Sequence, residues 1–326
     1  MSKNAIILGL GVSGVAAARL LLQQGSRVTV VDASDAASLS DRADALQSLG
    51  ARVLPEVKAL PEACYDLCVL SPGIDQSDPW VQEMEDRGVE VISELELGYR
   101  HCACPIIAVT GTNGKSTLVK LLHEMLTAGG RRSAIGGNYG IPLSEVALRS
   151  GELDWIVVEV SSFQLERVSS FRPEIGVLLN IQPDHLDRHG TMQAYRELKS
   201  RLFNRMGPED VGIVYESEFA AIRALVKSDN RWVTFGQEPG ADVRYAASHG
   251  VAYTDARGAQ VSVSVSDTPF DNPVLGLAAA AAVAVAQAAG LEPVAVAEAM
   301  RRFSPLRHRM ETVRVVAGVS FVDDSK

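Results

Sequence analysis

Short runs of β-branched and aliphatic residues recur along the chain, each followed by a longer stretch with apolar positions at helical spacing. Ala5–Leu8 predicts a strand, Val12–Gln24 a helix and Arg27–Val31 a second strand. Tyr65–Leu70 and Val89–Ile92 continue the series. A fresh one opens at 105–109, with a helix over Ser116–Ala128 and strands over Trp155–Val160 and Ile175–Leu179. Strands alternating with helices at this pitch predict parallel α/β sheets. A further helix is expected over Met192–Met206. The alanine-rich run from Leu275 to Leu291 reads as a buried helix, because alanine is only weakly apolar and Gln287 and Gly290 interrupt it. The pattern breaks near Ser93–Cys104, where Glu94-Leu-Glu-Leu itself has helical character. From Arg309 it changes again, with Glu311–Val316 and Val319–Val322 reading as two strands around Ala317-Gly318.

At 326 residues the chain has room for about two domains on a prior of ~150 residues each. Asp plus Glu number 40 against 31 Lys plus Arg, a net charge of −9, which argues against a general nucleic-acid or anionic-membrane binder. Four cysteines in a chain this long form no disulfide scaffold and suit reduced thiols. The apolar run near the N-terminus is too short for a signal peptide or a membrane span. These features predict a soluble cytoplasmic protein, expected as a monomer.

The chemistry concentrates in a few motifs. Gly9-Leu-Gly11-Val12-Ser13-Gly14 follows a strand and opens a helix, and Asp32 ends the next strand 18 residues after Gly14. Glycines there allow a tight turn and let backbone N–H groups approach a phosphate, so a nucleotide or diphosphate ligand competes with a merely tight turn. NAD is the default ligand of such a motif, with Asp32 on a ribose. Thr110-Gly111-Thr112-Asn113-Gly114-Lys115-Ser116-Thr117 lies between a strand and a helix, where a glycine-rich loop wraps phosphates. Lys115 would meet the β- and γ-phosphates, and Ser116 would reach Mg2+. Val109 stands where the longer P-loop pattern has its first glycine, so this is a shorter G-x-x-G-K-S variant.

Glu159 sits in the apolar run 155–160, where a carboxylate is costly unless paired or metal-bound. It is read either as an Mg2+ ligand or as a solvent-facing strand end. Asp184, His185, Asp187 and His189 follow a strand terminus and offer metal or phosphate contacts, against a plain polar loop. Lys199 has no unusual local feature and alone reads as solvated. His101-Cys102-Ala-Cys104 lacks the partner pair a metal site needs.

Together these motifs resemble the Mur ligases, the amide-forming enzymes of peptidoglycan precursor synthesis, and specifically their D-glutamate-adding branch. Thr110–Thr117 resembles the family's ATP loop. Glu159-Val-Ser161-Ser-Phe-Gln-Leu-Glu166, Gly137-Asn138-Tyr-Gly140, Leu70-Ser71-Pro72-Gly73-Ile74, Asp184–His189 and Leu306-Arg-His308-Arg309 fall in the family's order. The resemblance implies an α/β fold: a Rossmann-like N-terminal domain over 1–93, a P-loop ATPase-type domain over 94–302, and the start of a truncated C-terminal domain, a two-strand stub, over 303–326. It implies that Gly11, Val12, Ser13, Gly14, Asp32, Ser71, Pro72 and Gly73 hold the UDP part of UDP-N-acetylmuramoyl-L-alanine, displacing NAD. Asn138, Ser161 and Lys326 would also contact substrate. Gly111 to Thr117, Asn272, Arg309 and Asp324 would serve ATP. Ser116 and Glu159 would hold one Mg2+, and His185 with a carbamylated Lys199 a second.

The family's usual His-Asn pair before the alanine-rich helix is here Asp271-Asn272, and its following Asn is Leu275. The implied reaction makes an acyl phosphate from ATP and then an amide with D-glutamate. With most of the amino-acid domain missing, this chain is expected to bind the UDP substrate but to add D-glutamate poorly. Another Mur or folylpolyglutamate-type ligase, and a nucleotide-binding module without ligase activity, are the alternatives.

Overall fold

The computed structural model describes residues 3–247, 250–255, 257–309 and 311–324. Lys326 lies outside them. The first five strands, β1 (Asn4–Leu8), β2 (Arg27–Val31), β3 (Arg52–Leu54), β4 (Leu67–Leu70) and β5 (Glu90–Ser93), form one parallel sheet in the order β3-β2-β1-β4-β5. Successive side chains of a strand point to opposite faces. Ala5 and Ile7 therefore join the core packed against helix Val12–Gln23, while Ile6 and Leu8 join the opposite cluster with Val81 and Met84. The strand order reverses between β1 and β4 while the strands stay parallel, which opens a crevice beyond the carboxyl ends of those strands.

The second sheet holds β6 (Ile106–Thr110), β7 (Ser133–Gly137), β8 (Trp155–Glu159), β9 (Ile175–Leu178), β10 (Val211–Tyr215), β11 (Arg231–Gly236), β12 (Val243–Ala246), β13 (Gly250–Thr254) and β14 (Gln260–Val263). Its order is β14-β13-β12-β11-β10-β9-β6-β8-β7, antiparallel only at β12-β13-β14. Ile107 and Val109 face a core built with helices Lys115–Ala128, Pro273–Ala288 and Pro293–Arg302, whereas Ile106 and Ala108 face the other core, with Tyr195 and Phe203. Small side chains let Pro273–Ala288 lie close on the sheet. A Cβ on Gly276 would stand 2.3 Å from the Tyr245 ring.

Helix Glu94–Tyr99 joins the two sheets, capped by Ser93, whose hydroxyl accepts from the Glu96 amide. A Cβ on Gly98 would meet the Leu143 backbone at 2.7 Å, and Glu94 Oε1 accepts from the Ser144 amide at 2.7 Å, so this connector is clamped to the second sheet's layer. The last two strands, β15 (Glu311–Val316) and β16 (Val319–Asp323), pair as an antiparallel hairpin. Ala317 and Gly318 at its turn both have positive φ (49° and 80°), the geometry a two-residue hairpin loop needs. Val313, Val315, Val316, Val319, Phe321 and Val322 are exposed on it.

Several boundaries differ from the sequence reading. The expected strand Tyr65–Leu70 begins only at Leu67, and the strand after Val89 is Glu90–Ser93. The expected helix Met192–Met206 ends at Ser200 and tightens into one 3-10 turn, Arg201–Phe203. The alanine-rich helix runs Pro273–Ala288, started by the Asn272 cap.

Glycine is obligatory where β1 turns into its helix. Gly9 has φ +96°, and a Cβ on Gly14 would sit 1.9 Å from the Gly9 carbonyl oxygen. Gly14→Ala is therefore expected to cost about 1–3 kcal/mol, read as a lower denaturant midpoint at unchanged slope. An unchanged midpoint would show that the turn can move aside freely.

Candidate functional site

The glycine-rich loop between β6 and helix Lys115–Ala128 is shaped by two glycines, Gly111 (φ +148°) and Gly114 (φ +83°). Gly114 is the helix N-cap and supplies no side chain, so the first amides of that helix stay open toward the loop. Such an end favours an anion. The segment after β9 braces the loop. The Thr112 amide donates to the Asn180 carbonyl (2.9 Å), the Asn113 amide to Asn180 Oδ1 (2.9 Å), and Asn113 Nδ2 to Gln182 Oε1 (2.8 Å). Lys115 Nζ folds back on its own loop, donating to the carbonyls of Gly111 (3.0 Å) and Thr112 (2.8 Å). Burial lowers its pKa; Glu159 opposes that shift and the nearby Arg309 charge adds to it.

Beneath the loop, Ser116 Oγ donates to Glu159 Oε2 at 2.6 Å and Asn138 Nδ2 to Glu159 Oε1 at 2.7 Å. The register of β6 with β8, Val109 beside Glu159, brings these residues together. Gly137 permits the close crossing, since its Cβ would stand 2.2 Å from the Glu159 carbonyl oxygen. Glu159 is buried at the strand end, and two neutral donors hold its carboxylate. It does not face solvent. Hydroxyl, carboxylate and amide oxygens form a donor set that fits a hard divalent cation such as Mg2+.

Lys199 is 1% exposed, which corrects the reading from local sequence that it is solvated. It stands one turn after Tyr195 on the buried face of helix Met192–Ser200. Its Nζ lies 4.4 Å from the Tyr195 ring centre and donates to the Gly111 carbonyl at 2.8 Å, the same oxygen that Lys115 reaches. Burial foremost, then the Lys115 charge, lowers its pKa to about 7, with Asp184 opposing. A Tyr–Lys pair at i, i+4 on an otherwise apolar face was a signal available in the sequence. Tyr195 went unnoticed there, yet its hydroxyl sits 3.4 Å from Thr112 Oγ1.

The Asp184–His189 stretch divides instead of converging. His185 has φ 51° and caps the single-turn helix Leu186–His189. Its Nε2 is 3.4 Å from Asp184 Oδ2, and the ring is half-exposed beside Phe163. His189 turns inward, with Nε2 2.9 Å from Ser162 Oγ and its ring stacked on Tyr195. Asp187 is exposed. Among the described residues, no three His, Cys, Asp or Glu side chains are grouped to hold a metal by themselves. Burial pushes the Cys102 and Cys104 thiols up to about 12 and about 11, far from the thiolate state a metal would need. Ser161 begins a capping box with Gln164.

A cleft of about 670 Å3 opens beside the loop, lined by Asn113, Gly114 and Thr117, by Tyr215 and Phe235, by 273–275 and by Asp324. The two aromatic residues, absent from the sequence reading, give this cleft an apolar wall, in which Tyr215 is partly exposed and Phe235 buried. Asn272 stands at the start of the alanine-rich helix. Its Oδ1 accepts from the Val274 (3.1 Å) and Leu275 (2.9 Å) amides, and its Nδ2 donates to the Pro269 carbonyl. The residue acts as a helix cap.

In the first sheet, Asp32 Oδ2 accepts from the Leu10 amide (2.7 Å) and Oδ1 from the Ser34 amide (2.8 Å). Partial burial would raise its carboxyl, but those amides hold it below the usual range. Asp32 thus braces the glycine turn. Ser71 Oγ, from the loop after β4, donates to the Gly9 carbonyl at 3.1 Å. Gly11 has open space where a Cβ would be and Val12 is exposed, leaving a bare rim at the crevice between β1 and β4.

Residues 109–290 match the Mur ligase middle domain, and residues 3–93 match the Mur ligase MurD-like N-terminal domain. The UDP-N-acetylmuramoylalanine--D-glutamate ligase of Pelotomaculum thermopropionicum is 38% identical over 334 residues, covering 99% of this chain and 72% of that protein. The enzyme of the same name from Frankia casuarinae is 38% identical over 326 residues, covering 98% and 68%. The solved structure of UDP-N-acetylmuramate:L-alanyl-gamma-D-glutamyl-meso-diaminopimelate ligase from Neisseria meningitides superposes with a TM-score of 0.62 at 18% identity, over 94% of this chain and 100% of that one, a likeness of fold. No helix among the described residues is long and apolar enough to cross a membrane.

Proposed function

This chain belongs to the Mur ligase family, and we propose from that premise that it is an ATP-dependent ligase joining UDP-N-acetylmuramoyl-L-alanine to D-glutamate in peptidoglycan precursor synthesis. The observation that carries the reading is the buried Ser116–Glu159 pair set beneath a glycine loop whose lysine spans its mouth. A carboxylate is a poor acyl donor. In the proposed reaction an oxygen of the UDP substrate's terminal carboxylate attacks the ATP γ-phosphorus, the bond to the β-phosphate oxygen breaks, and ADP leaves. The D-glutamate amine then attacks the acyl carbon, the carbon–oxygen bond breaks, and phosphate departs with the amine's proton lost to solvent.

Lys115 would leave the Gly111 and Thr112 carbonyls for the β- and γ-phosphate oxygens, and the open helix amides would take the remaining phosphate charge. Ser116 and Glu159 would hold Mg2+, with Asn138 keeping the carboxylate oriented. Bound there, Mg2+ offsets charge on the transferring phosphoryl group. His185 and Lys199 would serve a second ion. Lys199 could do so as its carbamate: the neutral amine adds to CO2, a nitrogen–carbon bond forms, and a proton is released. The adenine would enter the cleft between Tyr215, Phe235 and 273–275, with Asp324 at its edge, and Arg309, whose charge reaches Lys115, would serve the phosphates. UDP would lie along Gly11–Gly14 and Ser71–Gly73, where the strand order reverses between β1 and β4, and Ser161 would face the reacting end. We place the division between the two ligand-binding layers at the connector 94–104.

The test is phosphate release that requires ATP, UDP-N-acetylmuramoyl-L-alanine and D-glutamate together. Ser116→Ala is expected to lower it on the order of 10²-fold, the scale of losing one preorganised polar partner at a reacting charge. Phosphate release indifferent to the UDP substrate, or unaffected by Ser116→Ala, would overturn the reading.

A further inference from the structure

The loop after β4 and the short helix Leu186–His189 belong to different sheets, yet one side chain ties them together. Arg188 Nη2 donates to the Ile74 carbonyl at 3.3 Å, and Nε pairs with Asp75 Oδ2 at 3.2 Å. The same guanidinium holds Glu166 Oε2 at 2.6 Å and lies over the Phe163 ring, 4.2 Å from its centre. Phe163 in turn contacts the rings of His185 (4.9 Å) and His189 (5.3 Å). On the first-sheet side, the Ile74 amide donates to the Ser71 carbonyl at 3.0 Å. On the other side, the chain leading to Arg188 begins at Asn180 and Gln182, which brace the phosphate loop. Contacts from Ser71 to Arg188, and the chain from Arg188 back to Asn180 and Gln182, thus link Ser71 to Thr112.

The two ends of Arg188 differ. Its partner Glu166 is buried, whereas Asp75 is about half exposed, so the Asp75 contact can be made or released without opening the core. A planar fork serves carboxylates on two sides and a carbonyl at once while stacking on a ring; a lysine ammonium cannot. Nothing in the reaction itself occupies this residue.

We propose that Arg188 is a positioning residue that couples the UDP-substrate loop to the phosphate loop. The inference rests on the functional reading for what each loop binds. Substrate settling on Ser71–Gly73 fixes Ile74 and Asp75, these fix Arg188, and Arg188 sets His185 and the Asn180–Gln182 brace. Coupling of this kind is reciprocal, so each ligand must tighten the other by the same factor.

The experiment measures the dissociation constant of a non-hydrolysable ATP analogue with and without saturating UDP-N-acetylmuramoyl-L-alanine. The wild-type chain is expected to bind the analogue about tenfold tighter with the UDP substrate present, within the usual range of such couplings. Asp75→Asn leaves the buried Arg188–Glu166 pair intact, and Arg188→Lys keeps the charge. Both are expected to bring the ratio to within about twofold of one, while each ligand alone keeps its affinity within about threefold. An unchanged ratio in both variants would overturn the coupling, as would parallel loss of both affinities with lowered thermal stability. Wild-type protein that binds both ligands without coupling defeats this inference alone. Wild-type protein that fails to bind the UDP substrate defeats the functional reading and the inference with it.

Discussion

Lys115→Ala is expected to remove ATP turnover while leaving the fold intact. The side chain is only partly buried, and its ammonium bonds two carbonyls of its own loop, so truncation opens no large cavity in the core. What is lost is a cation placed where phosphoryl charge develops, beside a helix terminus already poised for an anion. Phosphate release should fall by 10²-fold or more, on the order set by removing a preorganised charge partner at a transition state. The melting temperature should barely change. Lys115→Arg is not expected to restore the rate, because a rigid fork cannot fold back between two carbonyls of a tight loop and then reach forward. Unaltered phosphate release from Lys115→Ala would remove the loop from the phosphate site.

Lys199→Ala is expected to produce a loss of similar size with a different signature, dependence on dissolved CO2. With its pKa lowered to about 7, the amine is largely neutral above that pH and able to attack CO2, whereas its protonated form below it is not. At pH 6 only about a tenth remains neutral by simple titration. Degassing at pH 6 should therefore reduce activity, and bicarbonate at pH 8 should restore it. Lys199→Ala should be inactive under both conditions. Carbon-13 bicarbonate should give a carbamate resonance in the wild-type protein and none in the variant. Full activity of Lys199→Ala, or no such resonance, would refute the carbamate. Stability carries the same sign. The folded-state pKa lies below the ordinary lysine value of 10.5, so the unfolded chain binds the extra proton between about 7 and 10.5. The uncarbamylated protein should gain stability as pH rises through that window.

Several central parallel strands were legible because they are buried on both faces and read as continuous apolar runs, as in Ile106–Val109 and Ile175–Leu178, although Val211–Tyr215 and Arg231–Gly236 were missed. Of the edge strands, Glu90–Ser93 was expected to within a residue and two others were not. Arg52–Leu54 is too short to show a period, and Gln260–Val263 alternates polar and apolar residues in a stretch that also suits a loop. The phosphate loop was readable from its glycines, since only glycine suits those backbone angles. Its supports came from afar: Asn180, Gln182 and Glu159 approach through sheet order, which no local pattern records. Lys199 shows the limit most plainly. Its importance entered through family likeness, while its burial depends on a helix face whose one visible clue was Tyr195 four residues earlier. Asn272 shows another limit: family likeness assigns it to ATP, and its capping of the alanine-rich helix is a second role that the motif does not record.

The hairpin of β15 and β16 carries valines and a phenylalanine at its surface, with only two strands to shelter them. In this 326-residue chain those exposed side chains form a contiguous apolar surface of the kind that favours self-association. A polar replacement such as Phe321→Ser is expected to raise the concentration at which a solution of this chain stays clear.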